Sequence, residues 1–135
     1  MNDIFSFVMV GSKDFKKSSK FYDAIFVPLK IKKIVTTERY FGYGHLNEPN
    51  DVKFYITKPR NGEPATYGNG TMVAFLADTR QAVNRFHEIA LKNGAVDEGL
   101  PGIREDENYY AYVRDLDGNK ITAKCISKKR KKWYL

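Results

Sequence analysis

The clearest pattern in the chain is an apolar strand followed by an amphipathic helix, and it occurs twice. In the second half, Thr71–Ala77 has no polar face and predicts a buried strand. Asp78 and Thr79 are N-cap candidates, and apolar residues then recur at helical spacing until Asn93-Gly94, which supplies a helix stop. In the first half, Phe7–Val10 predicts a strand and Asp14–Ile25 a helix, with Asp14 as the N-cap. Each half therefore begins with the same strand–helix unit.

The two units are related by a constant offset of 65 residues. Val8 corresponds to Val73, and Phe21 corresponds to Phe86. A match of strand, N-cap and helix stripe at one offset indicates an internal duplication. Antiparallel strands follow each unit, which favours two packed α+β modules around a shared cavity over a parallel doubly wound sheet.

The first module continues with further strands. Ile31–Thr37 and Tyr40–His45 predict a hairpin, and Val52–Thr57 predicts another strand. Aromatic residues in these strands pack within the sheet or form a stacking wall for a flat ligand. The stretch Lys58–Asn69 is rich in Pro, Gly and Asn, and it predicts a linker between the modules.

The second module ends in a predicted hairpin. Tyr109–Val113 and Lys120–Ile126 are its strands, and the acidic residues of Asp115–Gly118 are assigned to turn chemistry. Leu100–Asn108, which precedes the hairpin, predicts a long polar loop. Such loops often cover the mouth of a site.

These motifs, taken in order, resemble the vicinal-oxygen-chelate superfamily of glyoxalase, bleomycin-resistance proteins and extradiol dioxygenases. The motifs are FYDAxFxPL at 21–29, GTMVAF at 70–75, PGIR at 101–104, YY at 109–110 and RDLDGN at 114–119. The resemblance implies an α+β fold of two βαβββ modules that form one cupped site. It also implies that dimerisation often completes this site.

Enzymes of this superfamily usually hold a divalent metal with a His in the first strand of each module and a Glu in the final strand. Some add a ligand from the last strand of the first module. The resemblance places Phe7, Met72, Thr122 and Tyr55 at these positions. None of these side chains is a good ligand for a hard cation, so we expect no metal and no other cofactor.

Charge is concentrated at the C-terminal end. The formal net charge is +7, of which Lys128–Lys132 contributes five, so residues 1–127 carry +2. We expect one domain over 1–127, with modules at 1–60 and 68–127, and a basic tail over 128–135. The tail is expected to be a solvated terminus. The alternative is loose, sequence-blind binding of nucleic acid or an anionic membrane, and we expect no specific nucleic-acid or membrane partner.

Cysteine usage and hydropathy predict a cytoplasmic location. A single cysteine, Cys125, excludes an intramolecular disulfide and fits a reducing compartment. No apolar run approaches the ~20 residues of a membrane helix, and the N-terminus does not resemble a secretion signal. Alternation with Ile121 and Ala123 predicts that the Cys125 thiol is buried.

Nine residues are expected to line the cup, and none is assigned a catalytic role. The apolar and aromatic walls would come from Phe7, Met9, Tyr55, Met72 and Tyr110. Polar groups would come from Tyr43, His45, Arg104 and Thr122. Arg104 suits a carboxylate or phosphate, with a salt bridge to a neighbouring acid as the alternative. His45 is a satisfied or exposed histidine, with a general base or a metal ligand as alternatives.

The sequence therefore favours a metal-free domain that binds a small organic molecule, as a homodimer. Two other functions stay open. One is a glyoxalase-like lyase, isomerase or dioxygenase-related enzyme, and the other is an interaction protein whose small-molecule site has decayed.

Overall fold

The computed structural model describes residues 3–127. The predicted basic tail over 128–135 lies outside the described residues. Module one contains β1 Val8–Gly11, α1 Phe15–Ile25, β2 Ile31–Thr36, β3 Tyr40–His45 and β4 Phe54–Thr57. Module two contains β5 Val73–Leu76, α2 Arg80–Lys92, β6 Val96–Ile103, β7 Tyr109–Arg114 and β8 Lys120–Cys125. Neither helix in the described range is long and apolar enough to cross a membrane.

Each module forms one four-stranded sheet with the same topology. The strand orders are β1-β4-β3-β2 and β5-β8-β7-β6, and the first strand of each module runs parallel to the last. The elements β1, α1 and β2 begin at residues 8, 15 and 31, whereas β5, α2 and β6 begin at 73, 80 and 96. The offset of 65 thus holds for three consecutive elements. The fold is α+β with two βαβββ modules, as the resemblance implies.

The helices begin where their capping residues predict. The Asp14 side chain accepts a hydrogen bond from the backbone N–H of Lys17, and the Thr79 hydroxyl accepts one from Ala82. These caps satisfy donors that have no partner within the helix. The two helices contact each other, and their apolar faces join the sheets in one hydrophobic core.

Strand alternation gives each sheet two unlike faces. The inner face packs on the helices and contributes buried residues such as Phe41 and Phe54 in module one and Val113 in module two. The outer face points away from the helices and carries exposed apolar residues, including Phe7 and Leu76. Because the core uses the inner faces, the exposed side chains of the outer faces lie outside it.

The strand β6 corrects the prediction of a polar loop over Leu100–Asn108. Residues as far as Ile103 pair with β7, although the register shifts between Asp97 and Gly99 and again between Gly99 and Gly102. Two glycines and Pro101 hide this strand from propensity rules. Pro101 is tolerated because β6 lies at the sheet edge, where one side of the strand needs no partner.

The RDLDGN turn closes the last hairpin and also joins the two modules. The Asp115 carboxylate accepts hydrogen bonds at 2.9 Å from the backbone N–H groups of Asp117 and Asn119, which confirms the assignment to turn chemistry. Across the modules, the Tyr22 hydroxyl donates to Asp115 at 2.6 Å, and the Lys13 N–H donates to Asp117 at 2.7 Å. The turn therefore fixes module two against α1 and against Lys13, which precedes it.

The thiol of Cys125 is half-buried, not buried as alternation predicted. Cys125 is the last residue of β8, where the core ends, and its neighbours Ile121 and Ala123 are fully buried. Alternation therefore predicted the correct face of the strand but not the extent of burial.

Candidate functional site

An apolar cavity of ≈ 280 Å³ lies between the two modules. Strands β1, β3, β4 and β5 all contribute to its wall. The lining residues are Phe5, Phe7, Val8, Leu29, Ile31, Tyr43, Gly44, His45, Lys53, Phe54, Val73, Ala74, Phe75 and Leu76. Twelve of these fourteen residues are apolar, aromatic or glycine, and the other two are His45 and Lys53, so the cavity suits an apolar group.

His45 is one of these two polar residues. Its Nδ1 accepts a hydrogen bond from the backbone N–H of Asn47 at 3.0 Å. In a neutral imidazole that accepts at Nδ1, the proton resides on Nε2. His45 can therefore offer its Nε2–H as a donor to a ligand.

Of the nine predicted site residues, Phe7, Tyr43 and His45 share this cavity. The hydroxyl of Tyr43 is nevertheless used elsewhere, because it donates to the Asp23 carboxylate at 2.6 Å. Burial raises the pKa of Tyr43 well above its ordinary value, and the hydrogen bond to Asp23 raises it further. Tyr43 thus contributes its ring to the cavity, and its hydroxyl faces α1.

The outer face of module one carries a row of aromatic rings. Phe7 meets Tyr55 edge to face with ring centroids 5.0 Å apart, and Tyr55 meets Tyr40 at 5.4 Å. Predicted residue Met9 lies in a separate shallow pocket beside Gly11. These rings form an apolar row on this face, and the role of Tyr55 in a ligand site stays a prediction.

The outer face of module two combines aromatic rings with cations. Tyr110 and Tyr112 stack with their centroids 5.6 Å apart and their planes 5° from parallel. Lys124 lies 5.5 Å from the Tyr110 centroid, and Arg104 and Lys120 lie 5.3 and 5.4 Å from that of Tyr112. We call these five residues the tyrosine–cation face. Arg104 and Tyr110 were predicted site residues, whereas the sequence reasoning missed Tyr112, Lys120 and Lys124.

The alternation of buried and partly exposed residues along β7 and β8 could have identified the missed residues. Tyr110 and Tyr112 alternate with the buried residues Ala111 and Val113 along β7. In β8, Lys120 and Lys124 likewise alternate with buried residues. Because the two strands pair in a hairpin, these side chains must share the outer face.

Asp106 neutralises part of the positive charge of the tyrosine–cation face. The Tyr110 hydroxyl donates to Asp106 at 2.5 Å, and Lys124 lies 4.0 Å from the same carboxylate. Burial and then the Asp106 carboxylate raise the pKa of Tyr110 to about 12, so this phenol stays neutral at physiological pH.

The positions that hold a metal in related enzymes do not fit a metal in this chain. Phe7 and Met72 have no donor atom for a hard cation, and the fully buried Thr122 donates its hydroxyl to the Ala111 carbonyl at 2.5 Å. Tyr55 packs between two aromatic rings. Within residues 3–127, no group of three or more His, Cys, Asp or Glu residues is placed to hold a metal ion.

His87 lies apart from the cavity, between α2 and β6. It is 5% exposed, and its Nε2 lies 2.8 Å from the Asp97 carboxylate. This hydrogen bond, together with one from the Gly99 N–H, lowers the pKa of Asp97. The pair links the helix to the edge strand.

The paired βαβββ modules, with a cavity between them and free outer sheet faces, define the vicinal-oxygen-chelate class of proteins. A glyoxalase/bleomycin resistance protein from Albidiferax ferrireducens is 40% identical in sequence, with a TM-score of 0.84 over 93% of this chain and 100% of that one. The chain therefore belongs to the glyoxalase/bleomycin resistance protein family. No protein-family model and no curated protein sequence matches it.

Two more distant structures share the fold. A lactoylglutathione lyase from Agrobacterium tumefaciens is 15% identical, with a TM-score of 0.64 over 93% of this chain and 94% of that one. A fosfomycin resistance protein from Listeria monocytogenes is 15% identical, with a TM-score of 0.65 over 95% and 97% of the two chains.

Proposed function

We propose that the protein is a metal-free, cytoplasmic member of this family that binds a small organic molecule between its modules. The observation that carries this proposal is the apolar cavity of ≈ 280 Å³ bounded by β1 and β5. Ligand sites for drug-sized molecules usually measure ~300–1,000 Å³, so this cavity suits a small ligand or one part of a larger ligand. The Phe7–Tyr55–Tyr40 row extends the apolar surface from the cavity across the outer face of module one.

Two exposed apolar residues allow a direct test. Leu76 lines the cavity and is 65% exposed, whereas Val96 is 62% exposed and does not line it. Ligand-observed NMR with a library of aromatic and acidic metabolites would identify binders, and calorimetry would give their affinities. Leu76→Asp should weaken the binders about tenfold or more, because it places a charge at the mouth of an apolar site.

Val96→Asp is the control and should leave the affinities unchanged, since it introduces the same charge at similar exposure elsewhere. A library without any binder, or equal effects of the two substitutions, would contradict the proposed site.

Metal content separates this function from the enzymatic alternative. A glyoxalase-like lyase or a dioxygenase needs a Lewis acid at the site. The side chains at the four family positions supply no suitable ligand set, so elemental analysis of purified protein should give no stoichiometric metal. Stoichiometric nickel, zinc, iron or manganese would overturn this part of the proposal.

We further propose that a second copy of the chain completes the site. Exposed apolar residues on the outer faces and at their edges include Phe7, Met9, Met72 and Leu76, and exposed apolar patches often mark interfaces. Sedimentation at micromolar concentration should give about twice the chain mass of 15.5 kDa. A monomer under these conditions would refute the dimer.

A further inference from the structure

We propose that the tyrosine–cation face binds the carboxylate of an amphipathic ligand whose apolar part occupies the cavity. This inference rests on the proposed function, because it assigns the ligand class of the same site. Arg104, Lys120 and the Tyr112 hydroxyl are the groups that would receive the carboxylate.

The local backbone holds Arg104 in place. Arg104 follows β6, and its side chain folds back along that strand, where Nη2 donates to the Leu100 carbonyl at 2.6 Å. A Cβ added to Gly102 would lie 2.9 Å from Nη1, and one added to Gly99 would lie 3.3 Å from Nη2. The two glycines therefore leave the space through which the guanidinium reaches Tyr112.

Two of the three cations of this face have no carboxylate partner among the described residues. Within residues 3–127, neither Arg104 nor Lys120 forms a salt bridge with a carboxylate, and the Tyr112 hydroxyl forms no hydrogen bond. By contrast, Lys124 is close to Asp106, and Arg114 on the same sheet donates to Glu98 at 2.5 Å. The two cations next to the Tyr112 ring and the hydroxyl of that ring therefore remain to bind an anion.

A carboxylate fits these donors better than a phosphate does. The planar guanidinium matches the two oxygens of a carboxylate, and a Lys and a phenol can complete the set. Phosphate sites commonly add backbone N–H groups from a helix N-terminus. Among residues 3–127, α1 and α2 both pack against the inner faces, and neither directs its N-terminus at the tyrosine–cation face.

Strand β5 connects this face to the cavity. Ala74 and Leu76 line the cavity, and in the sheet Ala74 pairs with Thr122, which pairs with Tyr112. Adjacent strands are about 4.8 Å apart, so Ala74 and Tyr112 are separated by about 10 Å. A ligand with an apolar end and a carboxylate end can span this distance.

Calorimetry with 4-phenylbutyrate, 6-phenylhexanoate and the corresponding neutral amides tests the inference. The acids should bind at least about tenfold more tightly than their amides, because charge-assisted hydrogen bonds are stronger than neutral ones. Arg104→Gln combined with Lys120→Gln should abolish this preference and leave amide binding unchanged. Gly102→Ala, which alters no charge, should reduce the preference by displacing the guanidinium.

Arg85→Gln on the exposed side of α2 is the control, and it should retain the full preference. If acids and amides bind equally and Leu76→Asp weakens both, the inference is wrong and the proposed function stands. A preference for acids that survives the double substitution also overturns the inference. Absence of binding by every compound overturns the inference together with the proposed function.

Discussion

Replacing Tyr22 by Phe tests the junction between the modules. The Tyr22 hydroxyl donates to Asp115 Oδ2 at 2.6 Å, and both side chains are buried. Three further donors reach the Asp115 carboxylate at 2.9 Å, from the backbone of Asp117 and from the backbone and side chain of Asn119. Tyr22→Phe thus removes one of four hydrogen bonds to a charged group, and the free energy of unfolding should fall by about 1.5–3 kcal/mol at pH 7.

The loss should depend on pH in a definite direction. Burial raises the pKa of Asp115 above its usual value, and the hydrogen bond from Tyr22 opposes that rise. An acid with a raised folded-state pKa contributes stability at low pH, and this contribution is lost as the pH rises through that pKa. Removing the Tyr22 donor raises the pKa of Asp115 further, so the variant should lose more stability at pH 7 than at pH 4.

Urea unfolding at the two pH values measures this difference, with Tyr43→Phe as the matched control. Tyr43 donates to Asp23, whose side chain is 50% exposed, so water can replace the lost hydroxyl there. The control should lose about 0.5–1.5 kcal/mol, with little dependence on pH. A Tyr22→Phe loss below about 0.5 kcal/mol, or equal losses at both pH values, would refute this account of the junction.

Two further predictions concern single residues. Gly118→Ala should destabilise the protein by about 1 kcal/mol more than Gly62→Ala in thermal unfolding. Both glycines have positive φ, but an added Cβ at Gly118 would lie 2.5 Å from the Tyr67 ring, whereas the one at Gly62 meets open space. The hydrogen bond with His87 lowers the pKa of Asp97, so the stability that Asp97 contributes is lost as the pH falls through that pKa. Asp97→Asn should therefore lose less stability than the parent protein when the pH is lowered. An equal loss on acidification, or equal losses for the two glycine variants, would contradict these assignments.

The sequence predicted the repeated units well because their signals are local. The caps at Asp14 and Thr79, and the apolar helix stripes, depend on residues only a few positions apart. Strand β6 was missed because its existence depends on pairing with β7, which overrides the unfavourable propensities of Gly99, Pro101 and Gly102. Pairing partners separated in sequence leave no local signal.

The sequence predicts which face of a strand a residue occupies, but not which side chains it contacts there. Thr122, which the resemblance placed in the cup, is fully buried, and its hydroxyl donates to the Ala111 carbonyl. Likewise, the rings of Tyr43 and Tyr110 were identified, but the acids that bind their hydroxyls, Asp23 and Asp106, could not be read from spacing. The burial of a side chain and its hydrogen-bond partners depend on which side chains meet in the folded protein.

The two outer faces differ in charge although they belong to repeated units of one scaffold. The helices and inner faces form one shared core, so residues of the outer faces can differ between the modules without disturbing core packing. In module one the face carries the neutral rings of Phe7 and Tyr55, whereas in module two it carries Arg104 and Lys120 beside Tyr112. A pseudosymmetric site with two like walls would accept a ligand in either direction. Unlike walls should instead fix one orientation, with the apolar end towards module one and the anionic end towards module two.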